Sequence, residues 1–581
     1  MPFRNALGRT AACLALVFTL GLAGCAELPK DVDRPVSTAL TAPASTPLGE
    51  LVQQRRTAAG TPYESGFVLL DGPPAAYGSR LALVEGARKT LDLQYYAIHA
   101  DASTARLLKA VREAAERGVR VRILLDDLHS TGRDAVVMRM ALVPNVEMRM
   151  FNPLAGARAS TLGRFFNSID DAGRIQQRMH NKLFIADNVL AVAGGRNLGD
   201  AYFGKDHKGN FIDLDVLVAG PLVQGLSRSF DAYWNNERAY PVQSLVTAKE
   251  LDRIREEARA EAKAEPERPA GDAASAGSAP GAAAAEVRAQ VWDEQPMDLR
   301  SADFVWAPAL VLADKPGKIP PDGANANADA GQAPARTVAQ PARRPPSQAT
   351  KIGTSLAAAA DAAADGETVV DGLLQLIGQA RSDLLIISPY FVPGADMKQA
   401  FTAARARGVR IRVLTNSLAS NDAPVAHVGY ARHRDELLAM GLELYELRSE
   451  QAGLGSAFGS GSASGSGSAP GASRSMLHSK VLVIDGRLLV VGSMNLDLRS
   501  QHQNTEIAVL VRSDALSRTA GQKIEQAMRE GAWHVERSGA GLVWRAPEGS
   551  GLEDATTEPD TSAGLRALVK LFGPLAPDAL L

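Results

Sequence analysis

His180-Asn181-Lys182-Leu183-Phe184-Ile185-Ala186-Asp187 returns half a chain later as His478-Ser479-Lys480-Val481-Leu482-Val483-Ile484-Asp485. Each copy runs on to a glycine and an asparagine, Gly194-Gly195-Arg196-Asn197 and Gly492-Ser493-Met494-Asn495, with ten residues from Asp to Asn in both. A lone His-x-Lys is usually no more than a polar strand. Two full copies with matching tails form a motif with a mechanism, because an imidazole, an ammonium and a carboxamide recur at fixed spacing. They imply one active site assembled from two matching halves.

The local reading follows from strand geometry. Residues two apart on a strand share a face, so His180 and Lys182 point one way, as do His478 and Lys480. Asp187-Asn188 and Asp485-Gly486 lie between apolar runs, which is a hairpin signal. Folding each hairpin back should bring Gly194 or Gly492 close to the lysine and Asn197 or Asn495 near the histidine, glycine permitting close approach.

A longer repeat frames these motifs. Glu116-Arg117-Gly118-Val119-Arg120-Val121-Arg122-Ile123-Leu124 is echoed by Ala406-Arg407-Gly408-Val409-Arg410-Ile411-Arg412-Val413-Leu414. Each follows a helical stretch (104–116 and 397–406), so the pattern is helix, glycine stop, strand. Upstream, Leu91-Asp92-Leu93-Gln94-Tyr95-Tyr96 corresponds to Asp383-Leu384-Leu385-Ile386-Ile387-Ser388. Alternating strands and helices predict an α/β fold: two duplicated α/β/α units, each a mixed sheet flanked by helices, forming one two-lobed domain.

The remaining chain divides by composition. Residues 65–245 and 366–545 form the two halves. Between them, 246–365 is mostly low-complexity sequence rich in Ala, Pro, Glu and Asp, except for an ordered piece at 302–318 carrying Phe304, Val305 and Trp306. A Gly/Ser-rich insertion occupies 453–473, and 546–581 reads as a C-terminal tail.

At the other end, Arg4 and Arg9 precede a short apolar run, and small residues end in Leu22-Ala23-Gly24-Cys25. Residues 1–24 therefore read as a secretory signal, too short to span a bilayer comfortably. The ending resembles a bacterial lipobox, which implies a lipidated Cys25 holding the protein on the periplasmic side of the cell envelope by a tether over 25–64. Ala26 resembles the residue found in lipoproteins sorted to the outer membrane. Cys13 and Cys25 are the two cysteines, so no thiol would remain for a disulfide or a metal.

The 581-residue chain is 45% hydrophobic with a net charge of −2, which offers no global basic field for a stable nucleic-acid partner. Imidazole can attack phosphorus or move a proton near neutral pH, while lysine and asparagine stabilise charge on non-bridging oxygens. Two facing platforms supply one histidine to attack and one to protonate the leaving group, with no call for a metal or other cofactor. Asp215, in Asp213-Leu214-Asp215-Val216, and Glu506, in Asn504-Thr505-Glu506-Ile507, look placed to orient the imidazoles.

The doubled His-x-Lys-x4-Asp with its glycine and asparagine resembles the mark of the phospholipase D superfamily. That resemblance implies a phosphohistidine intermediate, with His180 as nucleophile and His478 as general acid, then base, or the reverse. It also implies structural roles for Asp187 and Asp485. The stretches 194–203 and 495–506 resemble bacterial cardiolipin synthases, above all the C-type branch, which shares the double glycine. Phospholipid substrates and phosphatidyl transfer follow as expectations; hydrolysis to phosphatidic acid is the alternative, and a nuclease ranks below it. Arg196, Arg499, Asp497 and Asp200 fit either a hairpin ion pair or a head-group contact. His99, His129, His207 and His502 read as ordinary solvated or packed histidines, and Tyr96 and Tyr390 as core residues that could line the cleft.

Overall fold

Both motif hairpins close on turns whose two central residues have positive φ: Asp187 and Asn188 at 49° and 52°, Asp485 and Gly486 at 53° and 63°. Such turns match the twist of the strands they join, and Asp, Asn and Gly tolerate them best. The computed structural model describes residues 28–130, 132–154, 175–206, 209–264, 294–319, 368–449, 474–539 and 541–572. The signal region with Cys25, His207 and the 453–473 insertion lie outside the described residues, as does most of the low-complexity sequence between the halves. Among the described residues, no helix is long and apolar enough to cross a membrane.

Each hairpin enters a nine-stranded mixed sheet. The first sheet runs Val305–Trp306, Gly66–Leu70, Asp215–Ala219, Leu190–Gly194, Leu183–Ala186, Thr90–Tyr95, Arg120–Asp126, Val146–Phe151, Ala239–Pro241. The second runs Ala309–Ala313, Ile507–Arg512, Leu488–Gly492, Val481–Ile484, Asp383–Ile387, Arg410–Asn416, Glu443–Leu447, Ala532–Ser538, Gly541–Arg545. Thr90–Tyr95 pairs parallel with Arg120–Asp126, and Asp383–Ile387 with Arg410–Asn416. The connections are the helices Ala102–Glu116 and Ala395–Ala406, each stopped at a left-handed glycine, Gly118 (φ 92°) and Gly408 (φ 87°). The duplicated α/β/α architecture is thus present in both halves.

Period-two alternation explains how the halves join. Phe184, Ala186, Leu190 and Val192 face an outer core capped by helices of the first half, and Leu482, Ile484, Leu488 and Val490 do the same in the second. Their neighbours Leu183, Ile185, Ala191 and Ala193 meet Val481, Val483, Leu489 and Val491 in one shared central core. Helices Leu222–Trp234 and Asp514–Gly531 complete that core through Phe230, Tyr233, Ile524 and Ala527. Each such buried aliphatic side chain stabilises by roughly 1.5–3 kcal/mol, so the lobes form a single unit.

The segment between the halves contributes to both sheets. Val305–Trp306 extends the first and Ala309–Ala313 the second. Near the N-terminus, buried Arg149 and Arg122 donate to the carbonyls of Pro35 (2.6 Å) and Ser37 (2.9 Å), fastening that stretch to the first half. Past residue 545 the chain folds back, with Ala555 bridged to Trp544 and Glu558 bound to buried Arg434 at 2.8 Å.

Candidate active site

The lead-in to each hairpin crosses to the other half. Arg474–Leu477 pairs in parallel with Gly209–Ile212, and Met179 bridges Thr505. The His180 amide donates to the Thr505 carbonyl and the His478 amide to the Ile212 carbonyl, both at 2.9 Å. The hairpin strands themselves start at Leu183 and Val481, so His-x-Lys sits in this extended lead-in rather than in the hairpin strand. The reason is that its backbone groups are satisfied by the opposite half. Both motifs therefore reach one cleft, outside the carboxyl ends of the parallel central strands.

Across that cleft each imidazole meets a carboxylate of the other half. His180 Nδ1 lies 2.9 Å from Glu506 Oε2, and His478 Nδ1 lies 2.7 Å from Asp213 Oδ2. The residue opposite His478 is thus Asp213 and not Asp215, which corrects the sequence reading. Asp215 points into the first half's outer layer, where it binds Arg80 Nη2 at 2.9 Å and Arg196 Nε at 3.3 Å. The reason is register: Gly194 pairs with Asp215 and Gly492 with Ala508, so the position matching Glu506 is two residues before Asp215. Gly194 is required there, since a Cβ would stand 2.2 Å from Asp215 Oδ1.

The two carboxylates differ in their surroundings. Glu506 also accepts from the hydroxyls of Ser493 and Ser500. Gly195 occupies the position corresponding to Ser493, and a Cβ on it would press on Asp213 Oδ1 (2.7 Å), the His478 carbonyl and the Lys480 side chain (both 3.2 Å). Burial pushes Glu506 up to about 7. Asp213 is equally buried, but His478, Lys480 and Arg196 outweigh that and hold it at about 2.

Lys182 donates to the His180 carbonyl at 2.7 Å, and Lys480 to the His478 carbonyl. Burial lowers these ammoniums to about 7 and about 8. Burial, reinforced by the lysine charges, also lowers both imidazoles, His180 well below its ordinary value. Asn197 is held by the Ala97 amide (3.3 Å) and by Tyr202, whereas Asn495 Oδ1 is buried with no hydrogen-bond partner among the described residues. Asp187 and Asp485 sit at the far turns. Asp187 accepts from the amides of Lys89 (2.8 Å) and Thr90 (2.9 Å), and Asp485 from those of Ser382 (2.8 Å) and Asp383 (3.1 Å). They pin each hairpin to the start of its neighbouring strand and touch no reacting group.

Aromatic rings wall the cleft. Tyr96 packs edge-on against His180 at 5.0 Å, and Tyr202 and Phe211 lie 5.4 and 5.1 Å from His478. Tyr390 donates to Asp422 at 2.8 Å. Sequence reasoning gave no role to Tyr202, Phe211 and Asp422, and named Tyr96 and Tyr390 as core residues that could line the cleft.

Two nucleophile-grade imidazoles, each backed by a carboxylate and sharing two ammoniums, define a phosphoryl-transferring enzyme of the duplicated histidine–lysine class. Residues 81–234 and 373–528 match the family described as cardiolipin synthase, PLD-like domain. Cardiolipin synthase C of Escherichia coli is 32% identical over 90% of this chain and 97% of its own length. An uncharacterized Helicobacter pylori protein is 30% identical over 92% of this chain and 93% of its own. The crystal structure of phosphatidylserine synthase from Haemophilus influenzae superposes with a TM-score of 0.50 at 12% identity, covering 91% of this chain and all (100%) of that one, a likeness of fold. The chain belongs to the cardiolipin synthase, PLD-like family and is a phospholipase D superfamily phosphatidyltransferase.

Proposed function

We propose that this enzyme moves a phosphatidyl group from one phospholipid to a lipid alcohol through a phosphohistidine, yielding cardiolipin. The pairing of each imidazole with a carboxylate from the opposite half carries this reading. With Nδ1 engaged by Glu506, His180 keeps Nε2 for attack on phosphorus, and its lowered basicity leaves that lone pair free at neutral pH. His478 gives its proton to the departing alcohol, and the ionised Asp213 on its Nδ1 supports that imidazolium against the burial and lysine charges that lower it. The acceptor hydroxyl then returns a proton to His478 as its oxygen displaces His180 from phosphorus. Lys182, Lys480 and Asn495 bind the non-bridging oxygens throughout.

The lipobox reading supports a membrane address. A lipidated Cys25 would stand ten residues from Pro35, which the first half holds. Ten extended residues reach about 35 Å, so the tether would keep the enzyme close to the bilayer surface.

The test is the mature protein on vesicles of phosphatidylglycerol and phosphatidylethanolamine, with lipid products read by mass spectrometry beside His180→Ala. Cardiolipin formed only by the active chain supports the transferase. Phosphatidic acid without cardiolipin makes it a hydrolase.

A further inference from the structure

The aromatic wall is a continuous arc that starts at one catalytic imidazole and ends at the other. From His478 it passes to Tyr202 (5.4 Å), His99 (6.1 Å, stacked at 9°), His129 (6.4 Å), Tyr96 (4.8 Å) and His180 (5.0 Å). The middle of the arc stays open to solvent: His129 is exposed, and His99 and Tyr96 are partly so. Neither His99 nor His129 is needed to carry the reacting phosphorus, yet both line the same recess.

From the second half comes Arg499, half-buried at the start of the short helix Leu498–His502 and next to Ser500, whose hydroxyl binds the same Glu506 that holds His180. Its charge acts on Tyr96, His129 and His180. Its guanidinium has no hydrogen bond or ion pair among the described residues, unlike Arg80, Arg122, Arg178 and Arg196, each matched to an aspartate. The adjacent Asp497 is turned to the Ser500 amide at 2.6 Å. A half-desolvated guanidinium without a partner is a site for an anion. On the arc, His99 Nδ1 is bound to Asp134 at 2.9 Å, which favours its charged form against the effect of burial. His129, exposed on the arc, adds a second imidazole N–H.

We propose that Arg499, His99 and His129 form a second phosphate subsite, which binds the phosphodiester of the acceptor phospholipid while His180 holds the phosphatidyl group. This rests on the transfer reading above. His129 and His180 both pack edge-on against the Tyr96 ring, at 4.8 and 5.0 Å. The two contacts keep the imidazole centres within about 10 Å of each other, which admits two phosphorus atoms joined through a three-carbon alcohol, about 7 Å over six bonds. The subsite would place an acceptor hydroxyl at the phosphohistidine and would favour lipid over water.

Two measurements separate this subsite from the transfer reading. With phosphatidylglycerol as donor, the full chain and Arg499→Gln are compared for transfer to phosphatidylglycerol itself and to ethanol. Arg499→Gln should lower transfer to the phospholipid at least tenfold, mainly through the acceptor KM, and leave phosphatidylethanol formation within about threefold. Equal losses with both acceptors would place Arg499 on the reacting phosphate, and no loss with either would remove the subsite; both overturn the proposal. The second measurement needs no turnover. Glycerol 3-phosphate is titrated calorimetrically into the inactive His180→Ala chain, with and without Arg499→Gln. Two equivalents falling to one supports the subsite whatever the products prove to be, and an unchanged stoichiometry refutes it. Cardiolipin absent from the wild-type reaction, with two equivalents still bound, would fail the transfer reading alone.

Discussion

The main-chain amide of Glu506 donates to Asp314 Oδ2 at 2.9 Å, and the Asp314 amide returns a hydrogen bond to the Glu506 carbonyl at 2.9 Å. The same carboxylate takes the Val369 amide (2.6 Å) and Lys318 Nζ (2.7 Å), and Lys318 also reaches the Ser500 carbonyl at 2.8 Å. A residue from the segment between the halves therefore fixes the backbone that presents His180's carboxylate partner. Asp314→Ala should leave Lys318 and the Glu506 amide without their buried acceptor. The expected result is a loss of about 3 kcal/mol in denaturant unfolding and a lowered kcat with little change in KM. Unaltered kcat and stability would show that the segment is merely an edge strand.

Asp213 and Asp215 stand two residues apart and should fail differently. Asp213→Asn keeps the shape but removes the charge that supports the His478 imidazolium, so kcat should fall a hundredfold or more beside any loss of stability. Asp215→Asn leaves Arg80 and Arg196 buried against a neutral partner and should lower stability by about 3 kcal/mol. Thermal melts beside steady-state kinetics separate the two, and interchanged phenotypes would contradict the assignment.

The lysines set the alkaline side of the pH profile. As pH rises through about 7 to about 8, Lys182 and Lys480 lose the protons that bind the non-bridging oxygens, so kcat/KM should decline over that window. Stability should move the other way. Lys182 titrates at about 7 when folded, below its ordinary 10.5, so the unfolded chain binds more protons between those values. Unfolding free energy therefore gains from this group as pH rises across the window. Lys182→Met should abolish turnover, stabilise the fold at pH 7 and flatten that slope in denaturant titrations at pH 7 and pH 9. A variant less stable than the parent at pH 7 would count against a buried, strained ammonium.

Much of this architecture is legible because it is local and repeated. The helix–glycine–strand units, the hairpin turns and the His-x-Lys faces each depend on residues within a few positions of one another. Asp213 was also within reach: Glu506-Ile507-Ala508-Val509-Leu510-Val511 set against Asp213-Leu214-Asp215-Val216-Leu217-Val218 aligns the Val-Leu-Val runs and puts Asp213 opposite Glu506. Choosing Asp215 shifted the register by two. Asp314 leaves no such trace, since its contact with Glu506 spans 192 residues and lies in a stretch bounded by low-complexity sequence. The lead-in strands were hidden for a related reason, because their partners belong to the other half. The ring arc was hidden as well, because His99, His129 and Tyr202 come together only when three separate segments of the first half meet.

The central claim is one active site in which His180 alone becomes phosphorylated and His478 serves it from the other half. It is tested most directly by quenching the enzyme with detergent at mildly alkaline pH, where a phosphohistidine survives, during turnover of a radiolabelled phosphatidyl ester of p-nitrophenol, whose leaving group departs without a proton, and mapping the labelled peptide. Label on His180 in the wild type and in His478→Ala, with none in His180→Ala, is the predicted result. Label on His478, on both histidines, or persisting in His180→Ala would contradict it.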